Sequence, residues 1–456
     1  MLIIRVGQKC SGGPLSCIRW LLILASLAAQ AQETQPVSEN PGPAVPGRSV
    51  GGRLGYTQEL LRLRPYASIA GVYDTGLTGV FTDEAGRVGR QEAYGVLASF
   101  GVLGYHAWRR TVLGLAYDGS ARHYTRHSYY DGLNQSLGLN LTHQASRRVS
   151  IELNESAASH HGGFYGLAGS PLYSQEFEDL RRELLFDTRT LLLSSSARLV
   201  FQKSLRLSMS AGGNFIAAQP RTRALVRLRG TGAVGDIAYR LTRRHTVGVM
   251  YDFLHFWYLR AFGDAWAHGA ALQHSYLLSR RWTLSLRGGG YRVETTRLHQ
   301  VQIDPAIAAI IGQRTGIEVF HRITYVPNIS AGLSMEFERG SFGVEYRRGI
   351  SSGNGIYLTS ARESAGVYFG YTGTRRLHFS AHAGYTRLSS LAQTLGRYRG
   401  YNAGAGVTYR LGGPFSMFAR VDGRKYNLGG TGFGRTYYRS MLGLSISPGE
   451  FPLALW

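Results

Sequence analysis

The chain has 456 residues, with 51 lysines and arginines against 28 acidic residues and a formal net charge of +23 at pH 7. All but three of the basic residues are arginine. They are spread along the chain instead of being gathered on one helix or groove, which argues against a nucleic-acid-binding protein. Both cysteines, Cys10 and Cys17, lie near the N-terminus, so the rest of the chain has no disulfide framework and no thiolate chemistry.

The N-terminal segment 1–31 has the pattern of a secretory signal peptide. A basic stretch precedes an apolar run over 20–28, and small residues at 29–31 supply a cleavage site. Residues 32–60 are rich in proline and glycine and have little apolar periodicity, which predicts a flexible lead-in. We expect the remaining segment, 61–456, to form one domain, and it has no apolar run long enough for a transmembrane helix.

Short turns that carry arginine pairs recur between runs of roughly ten residues with period-two alternation, which is the spacing of transmembrane β-hairpins. The clearest copies are at 109–110, 147–148, 243–244, 280–281 and 375–376. Short turns alternate with long connections, as in outer-membrane barrels with tight periplasmic turns and longer external loops. A soluble β-sandwich would show the same alternation within strands but not this connectivity.

This pattern predicts an all-β fold, a transmembrane antiparallel up-and-down barrel of about eighteen strands, with sixteen also acceptable. An even number of strands returns both termini to the periplasm. The expected strands are 63–73, 92–106, 111–124, 132–144, 149–159, 189–202, 205–219, 228–240, 245–259, 266–278, 282–294, 324–338, 341–349, 361–371, 376–386, 399–410, 415–426 and 435–447.

The leader, the hairpin periodicity, the aromatic residues near strand ends and the terminal Trp456 together resemble the porin-like class of bacterial outer-membrane β-barrels. The resemblance implies an outer-membrane location, contact with membrane lipid and lipopolysaccharide, and insertion by the barrel-assembly machinery. The tail departs from this class, because Pro448 and Pro452 prevent a regular final strand. Either 439–446 closes the barrel, or the tail adds a short irregular edge.

Charged residues at alternate strand positions are the candidates for the pore lining. Two interpretations remain open for them: a network of ion pairs along the wall, or a lining that attracts anions. The candidates are Arg206, Arg240, Arg287, Glu336, Glu338, Glu345, Arg347 and Arg420.

Two connections are distinctive. The segment 174–187 reads as a short acidic amphipathic helix, and in general porins the corresponding loop folds into the lumen. Its candidate constriction residues are Glu176, Glu178, Asp179 and Glu183. An external loop helix is the alternative. The segment 304–312 has an Asp cap, a Pro at the first helical position and a terminal Gly, and it is apolar for an exposed loop.

No group of residues predicts catalysis, a metal site or a bound cofactor, so we expect a protein that is not an enzyme. The interior of an eighteen-stranded barrel is too wide for side chains alone to fill, which favours a water-filled path. The sequence therefore predicts a pore for polar solutes, with anionic or saccharide solutes preferred and exopolysaccharide export as a specialised version. A non-conducting structural or adhesive barrel and a barrel-rim hydrolase are the alternatives. Whether the barrel forms a homo-oligomer is left open.

Overall fold

A computed structural model of the chain describes eleven segments. They are 64–77, 91–125, 131–161, 189–223, 225–259, 261–302, 315–353, 356–372, 376–391, 396–429 and 433–446. The expected signal peptide and lead-in, the acidic segment 174–187, the apolar segment 304–312 and the C-terminal tail all lie outside the described residues. No helix in the described segments is long and apolar enough to cross a membrane.

The described residues form eighteen β-strands, the number expected from the hairpin periodicity. In chain order they are β1 Arg64–Leu77, β2 Gln91–Ala107, β3 Thr111–Tyr124, β4 Gly132–Gln144, β5 Val149–His161, β6 Arg189–Gln202, β7 Leu207–Pro220, β8 Arg227–Arg240, β9 His245–Leu259, β10 Asp264–Leu277, β11 Trp282–Gln302, β12 Thr315–Phe337, β13 Gly340–Ser351, β14 Ser360–Tyr371, β15 Leu377–Ser390, β16 Tyr398–Gly412, β17 Phe415–Leu428 and β18 Phe433–Ile446.

The eighteen strands form one closed antiparallel sheet. Each strand pairs with its neighbours in sequence, and β1 also pairs with β18, from Ala67 opposite Ile446 to Asp74 opposite Arg439. Closure gives each of the eighteen described strands a neighbour on both sides. The predicted up-and-down barrel is confirmed. Residues 439–446 pair with β1 and close the barrel. The tail with its two prolines lies outside the described residues, so whether it adds an irregular edge stays a prediction.

The arginine-bearing turns gather at one end of the barrel, and their serine or threonine explains the repeated sequence. In the turn between β8 and β9, the Thr242 hydroxyl accepts hydrogen bonds from the backbone N–H groups of Arg244 at 3.2 Å and His245 at 3.1 Å. In the turn between β10 and β11, the Ser279 hydroxyl likewise accepts hydrogen bonds from the backbone N–H groups of Arg281 and Trp282. The hydroxyl satisfies the backbone groups of a tight turn, and the arginines that follow it are exposed.

The two faces of each strand differ in the way that the alternation predicts. On β18, Leu442 and Leu444 are 62% and 52% exposed, whereas Arg439, Met441 and Ser445 on the other face are buried. The exposed face carries large apolar side chains around the whole barrel, as a surface solvated by lipid requires. The buried face is the inward one, because its side chains meet residues from distant parts of the barrel.

The hairpin of β11 and β12 is longer than predicted. The expected strands 282–294 and 324–338 extend to 282–302 and 315–337, and the extra residues pair with each other. Their sequence lacks a continuous apolar face, because polar residues such as Thr296 and Gln302 stand on the face where the membrane-spanning part carries Leu284 and Leu286. Strand residues above the lipid need no apolar face. The alternation of apolar and polar residues therefore does not predict this part of the hairpin.

Candidate functional site

The connection between β13 and β14, described over 352–353 and 356–359, folds into the barrel from its long-loop end. On one side it packs against β9: the hydroxyl of Tyr258 lies 2.7 Å from the hydroxyl of Thr359 and donates to the carbonyl oxygen of Ser352 at 3.0 Å. Leu358 is buried in the same place, in a cluster formed by inward side chains of β5 to β9. These contacts come from β5 to β9, which lie at least four strands away from β13 around the barrel.

The other side of this connection reaches the opposite part of the wall. Tyr357 is buried in a cluster with Leu388, Tyr398, Tyr426 and Tyr437, which face inward from β15 to β18. The ring centroids of Tyr357 and Tyr398 are 6.3 Å apart. Burial raises the pKa of the Tyr357 phenol, and Tyr398 raises it further, so the phenol is neutral at physiological pH. The described residues of this connection, 352–353 and 356–359, therefore contact two well-separated parts of the barrel wall, and we call them the transverse loop.

Gly353 sets the geometry of the transverse loop. Its φ of +89° lies in the left-handed region, and a Cβ at this position would stand 1.8 Å from the carbonyl oxygen of Tyr357. Only glycine tolerates both conditions. The backbone N–H of Gly353 donates to the hydroxyl of Ser351 at 3.0 Å, which fixes the point at which the chain leaves β13.

An arginine lies within the tyrosine cluster. The guanidinium of Arg424 lies over the ring of Tyr426, 5.8 Å from its centroid, and its Nη2 atom donates to the hydroxyl of Tyr398 at 3.4 Å. Tyr437 stands opposite Arg424 on β18. A guanidinium among tyrosine rings and hydroxyl groups provides the positive charge and the flat aromatic surfaces that suit anionic and saccharide ligands.

Other inward arginines pair with carboxylates and form part of the wall. Arg198 donates to Asp236 at 2.9 Å across β7, and the hydroxyl of Ser210 binds the same carboxylate. Arg420 holds Asp422 with two hydrogen bonds, of 2.7 and 2.9 Å. These pairs neutralise their charges locally, as the wall-network interpretation expects.

A buried ion pair lies at the seam where the first and last strands meet. The guanidinium of Arg439 donates to Asp74 with distances of 3.0 Å from Nε and 2.6 Å from Nη2, and the hydroxyl of Tyr124 donates to the same oxygen at 3.2 Å. The side chains of Arg439 and Asp74 are 5% and 1% exposed. Breaking such a pair from one side leaves an uncompensated buried charge, so this contact favours correct closure.

Most of the predicted pore-lining residues stand on inward-facing positions, as the strand registers show. Arg287, Ser330 and Arg347 lie side by side on β11, β12 and β13, and Arg347 is 3.4 Å from Glu345 on its own strand. Two candidates occupy turns outside the strands, Arg206 before β7 and Glu338 after β12. The inward candidates are Arg240, Arg287, Glu336, Glu345, Arg347 and Arg420.

The candidate constriction residues Glu176, Glu178, Asp179 and Glu183 lie outside the described part of the chain. Sequence reasoning did not predict the transverse loop. One signal was present: an apolar Ile356-Tyr357-Leu358 follows a turn-forming run of Ser, Gly and Asn. Apolar residues in an external loop need a surface to cover them. Within the described segments, no group of three or more His, Cys, Asp or Glu side chains could hold a metal ion.

No protein-family model matches the chain, and no curated protein matches its sequence. Several solved structures are similar to it. OccK2 (OpdF) of Pseudomonas aeruginosa in complex with glucuronate is 13% identical, with a TM-score of 0.42 over 85% of this chain and 98% of that one. OccAB3 of Acinetobacter baumannii is 9% identical, with a TM-score of 0.39 over 84% and 98%. The FrpB iron transporter of Neisseria meningitidis is 12% identical, with a TM-score of 0.40 over 82% and 62%.

Proposed function

We propose that the protein is a channel of the bacterial outer membrane for small polar solutes and that it prefers anionic or saccharide ones. The observation that carries this proposal is the transverse loop, which narrows the lumen of an eighteen-stranded barrel at one level. A barrel of this size leaves an aqueous path unless it is blocked, and a loop across that path limits what passes.

The charge of the inward face supports a preference for anions. Arginines outnumber acidic residues at the inward positions of the described strands. The ion pairs described above therefore leave a net positive charge on the inward face. The arginines at inward register positions are Arg64, Arg122, Arg198, Arg240, Arg287, Arg322, Arg347, Arg362, Arg410, Arg420, Arg424, Arg435 and Arg439, and the acids at such positions are Asp74, Asp118, Glu152, Asp236, Asp252, Glu318, Glu336, Glu345 and Asp422. An excess of one sign in a narrow path sets the sign of the permeant ion.

The transverse loop also favours small solutes over an exported polysaccharide chain. The loop is held at both of its sides, by Tyr258 and Leu358 on one wall and by Tyr357 on the other. A wide polymer would have to displace it and break both sets of contacts. The loop therefore favours passage of small solutes over export of exopolysaccharide.

The test is conductance of the purified protein in a planar bilayer under a salt gradient. We expect single channels whose reversal potential reports anions over cations. Replacing Arg287 and Arg347 together by Glu should move the reversal potential toward cations, because the two lie at the same level of the wall. Arg243→Glu, in an exposed turn, is the matched control and should change little.

The absence of conductance would overturn the channel and favour the non-conducting surface barrel. Conductance with cation preference, or with selectivity that the double substitution leaves unchanged, would overturn the preference for anions.

A further inference from the structure

The outward face of β13 to β17 carries basic side chains near the long-loop end of the barrel. Each lies within three residues of the point where its strand begins or ends at the long loops. The strand registers place them on the face that carries the lipid-exposed Val344 and Val407. We call these four residues the basic row: Arg348, Arg387, Arg399 and Lys425.

One acidic side chain, Glu363 of β14, lies on the outward face of β13 to β17 in the described chain. It stands opposite Arg348 on one side and opposite Arg387 on the other. The Nη1 atom of Arg387 lies 3.5 Å from its Oε2 atom, and the hydroxyl of Tyr346 donates to its Oε1 atom at 3.2 Å. A single carboxylate cannot neutralise four basic groups, so the basic row keeps an excess of positive charge.

Like charges in the basic row face each other directly. Arg387 of β15 stands opposite Arg399 of β16, and Lys425 is diagonal to Arg399 because it pairs with Tyr401 two residues further along β16. Directly facing residues of an antiparallel pair have Cα atoms about 4.5–5.5 Å apart, and like charges at such positions are destabilising. An anion bound between these cations would replace the repulsion with attraction.

Tyrosines separate the basic row from the apolar belt of the barrel. Tyr346, Tyr385 and Tyr401 each lie two residues from a member of the row, on the same face and toward the short turns. The ring centroids of Tyr385 and Tyr401 are 5.2 Å apart. Below the tyrosines the exposed valines of the belt are Val344, Val367, Val407 and Val421. Tyrosine is typical of the membrane–water interface, so the basic row lies at the level of the lipid headgroups.

We propose that the basic row binds the phosphate groups of a bisphosphorylated glycolipid, the headgroup chemistry of lipopolysaccharide, and that the acyl chains pack on the apolar belt below. Arginine and lysine are the side chains that hold phosphate. β13 and β16 are three strands apart, about 14 Å, so one headgroup with two phosphate groups can contact both ends of the row.

A lipid fits this surface better than a free anion does, because the tyrosines and the apolar belt continue directly from the charges. The inference assigns tight lipid contact to one sector of the wall. It rests on the outer-membrane location in the proposed function, with the long loops outside, and does not depend on conductance.

The first test measures lipid binding by the full-length protein in a non-ionic detergent. Bisphosphorylated lipid A is titrated, and the lipid that stays bound is counted by native mass spectrometry. Arg399→Gln combined with Lys425→Gln should raise the dissociation constant on the order of tenfold, because charged contacts to phosphate are lost. Arg243→Gln combined with Arg244→Gln, in an exposed turn at the other end of the barrel, removes the same charge and should bind as the parent does. An unheated detergent gel checks that each variant is folded.

Other ligands identify the source of the phosphate. Lipid A without phosphate groups, phosphatidylglycerol and inorganic phosphate should each bind more weakly than bisphosphorylated lipid A. Equal binding of any of the three would overturn the assignment to a phosphorylated glycolipid. A parent protein that does not retain lipid A would overturn the site, as would binding that the two double variants retain or lose equally. Channels that conduct without retaining lipid A refute only this inference, whereas retention without conductance refutes only the channel.

The second test distinguishes a ligand-binding role from a structural one. Arg399→Gln removes one of two like charges that face each other, so in lipid-free detergent its unfolding temperature should be no lower than that of the parent. Added lipid A should raise the unfolding temperature of the parent more than that of the variant. A variant that is less stable by the same amount with and without lipid A would show that Arg399 stabilises the barrel itself. An equal gain from lipid A in both proteins would also reject the proposal.

Discussion

Leu358 offers the clearest way to release the transverse loop without disturbing the barrel. Its side chain is 4% exposed and packs against inward residues of β5 to β9, far from the strands that the loop connects. Leu358→Ala removes these contacts and leaves the strand pairing untouched. Truncating a buried leucine to alanine costs about 2–5 kcal/mol. Since the cost falls on docking of the loop, about 3 kcal/mol raises the ratio of undocked to docked loop on the order of a hundredfold.

We expect Leu358→Ala to raise single-channel conductance or the frequency of openings in a planar bilayer, because an undocked loop no longer narrows the lumen. Leu444→Ala, on the lipid-facing surface of β18, is the matched control and should leave conductance unchanged. The folded barrel is checked on an unheated detergent gel. If the variant folds normally and its conductance and gating equal those of the parent, the transverse loop does not control the path.

Three further predictions concern the fold. Unheated protein should migrate faster on a detergent gel than boiled protein, because a closed barrel resists unravelling; identical migration with helical circular dichroism would contradict the barrel. Phe262→Cys, in the exposed connection between β9 and β10, should react with an impermeant thiol reagent on intact cells, and Ser279→Cys in a short turn should not; the opposite pattern would invert the orientation. Asp74→Ala should lower the unfolding temperature, since it leaves Arg439 buried with a cost of roughly 3–5 kcal/mol. Glu338→Ala, at a position with an 86% exposed side chain, is its control and should not.

The membrane-spanning strands could be predicted because lipid imposes a strict rule on them. Every second residue must be apolar where the strand crosses the hydrocarbon layer, and the serine-arginine turns mark where it ends. The rule stops at the membrane surface, so the upper part of the β11–β12 hairpin, around Arg297 and His321, gave no continuous pattern. In this upper part, each described strand pairs only with the other strand of the hairpin, and no contact with lipid constrains its sequence.

The contacts of the lumen could be predicted only where they are local. Glu345 and Arg347 share a face because they are two residues apart on one strand. Arg198 and Asp236 meet across an intervening strand, which requires the register of three strands to be known. The contact of Tyr258 with Thr359 spans 101 residues of sequence and joins β9 to the residue before β14, five strands further around the barrel. Periodicity predicts which face of the strand carries a side chain, but it does not predict which distant loop contacts that side chain.

The way in which the transverse loop is held separates constriction from selectivity. Resemblance to general porins implies an acidic loop opposite a basic wall, which is an electrostatic contact. The transverse loop is anchored instead by Leu358 among apolar side chains, by Tyr357 among tyrosines and by neutral hydrogen bonds with Tyr258. Salt screens exposed charges but leaves apolar packing and buried neutral hydrogen bonds largely unaffected. The position of the loop is therefore insensitive to ionic strength, whereas the field of the inward arginines falls as salt is added. Under the proposed function, we therefore expect added salt to weaken the preference for anions while the constriction set by the transverse loop stays the same.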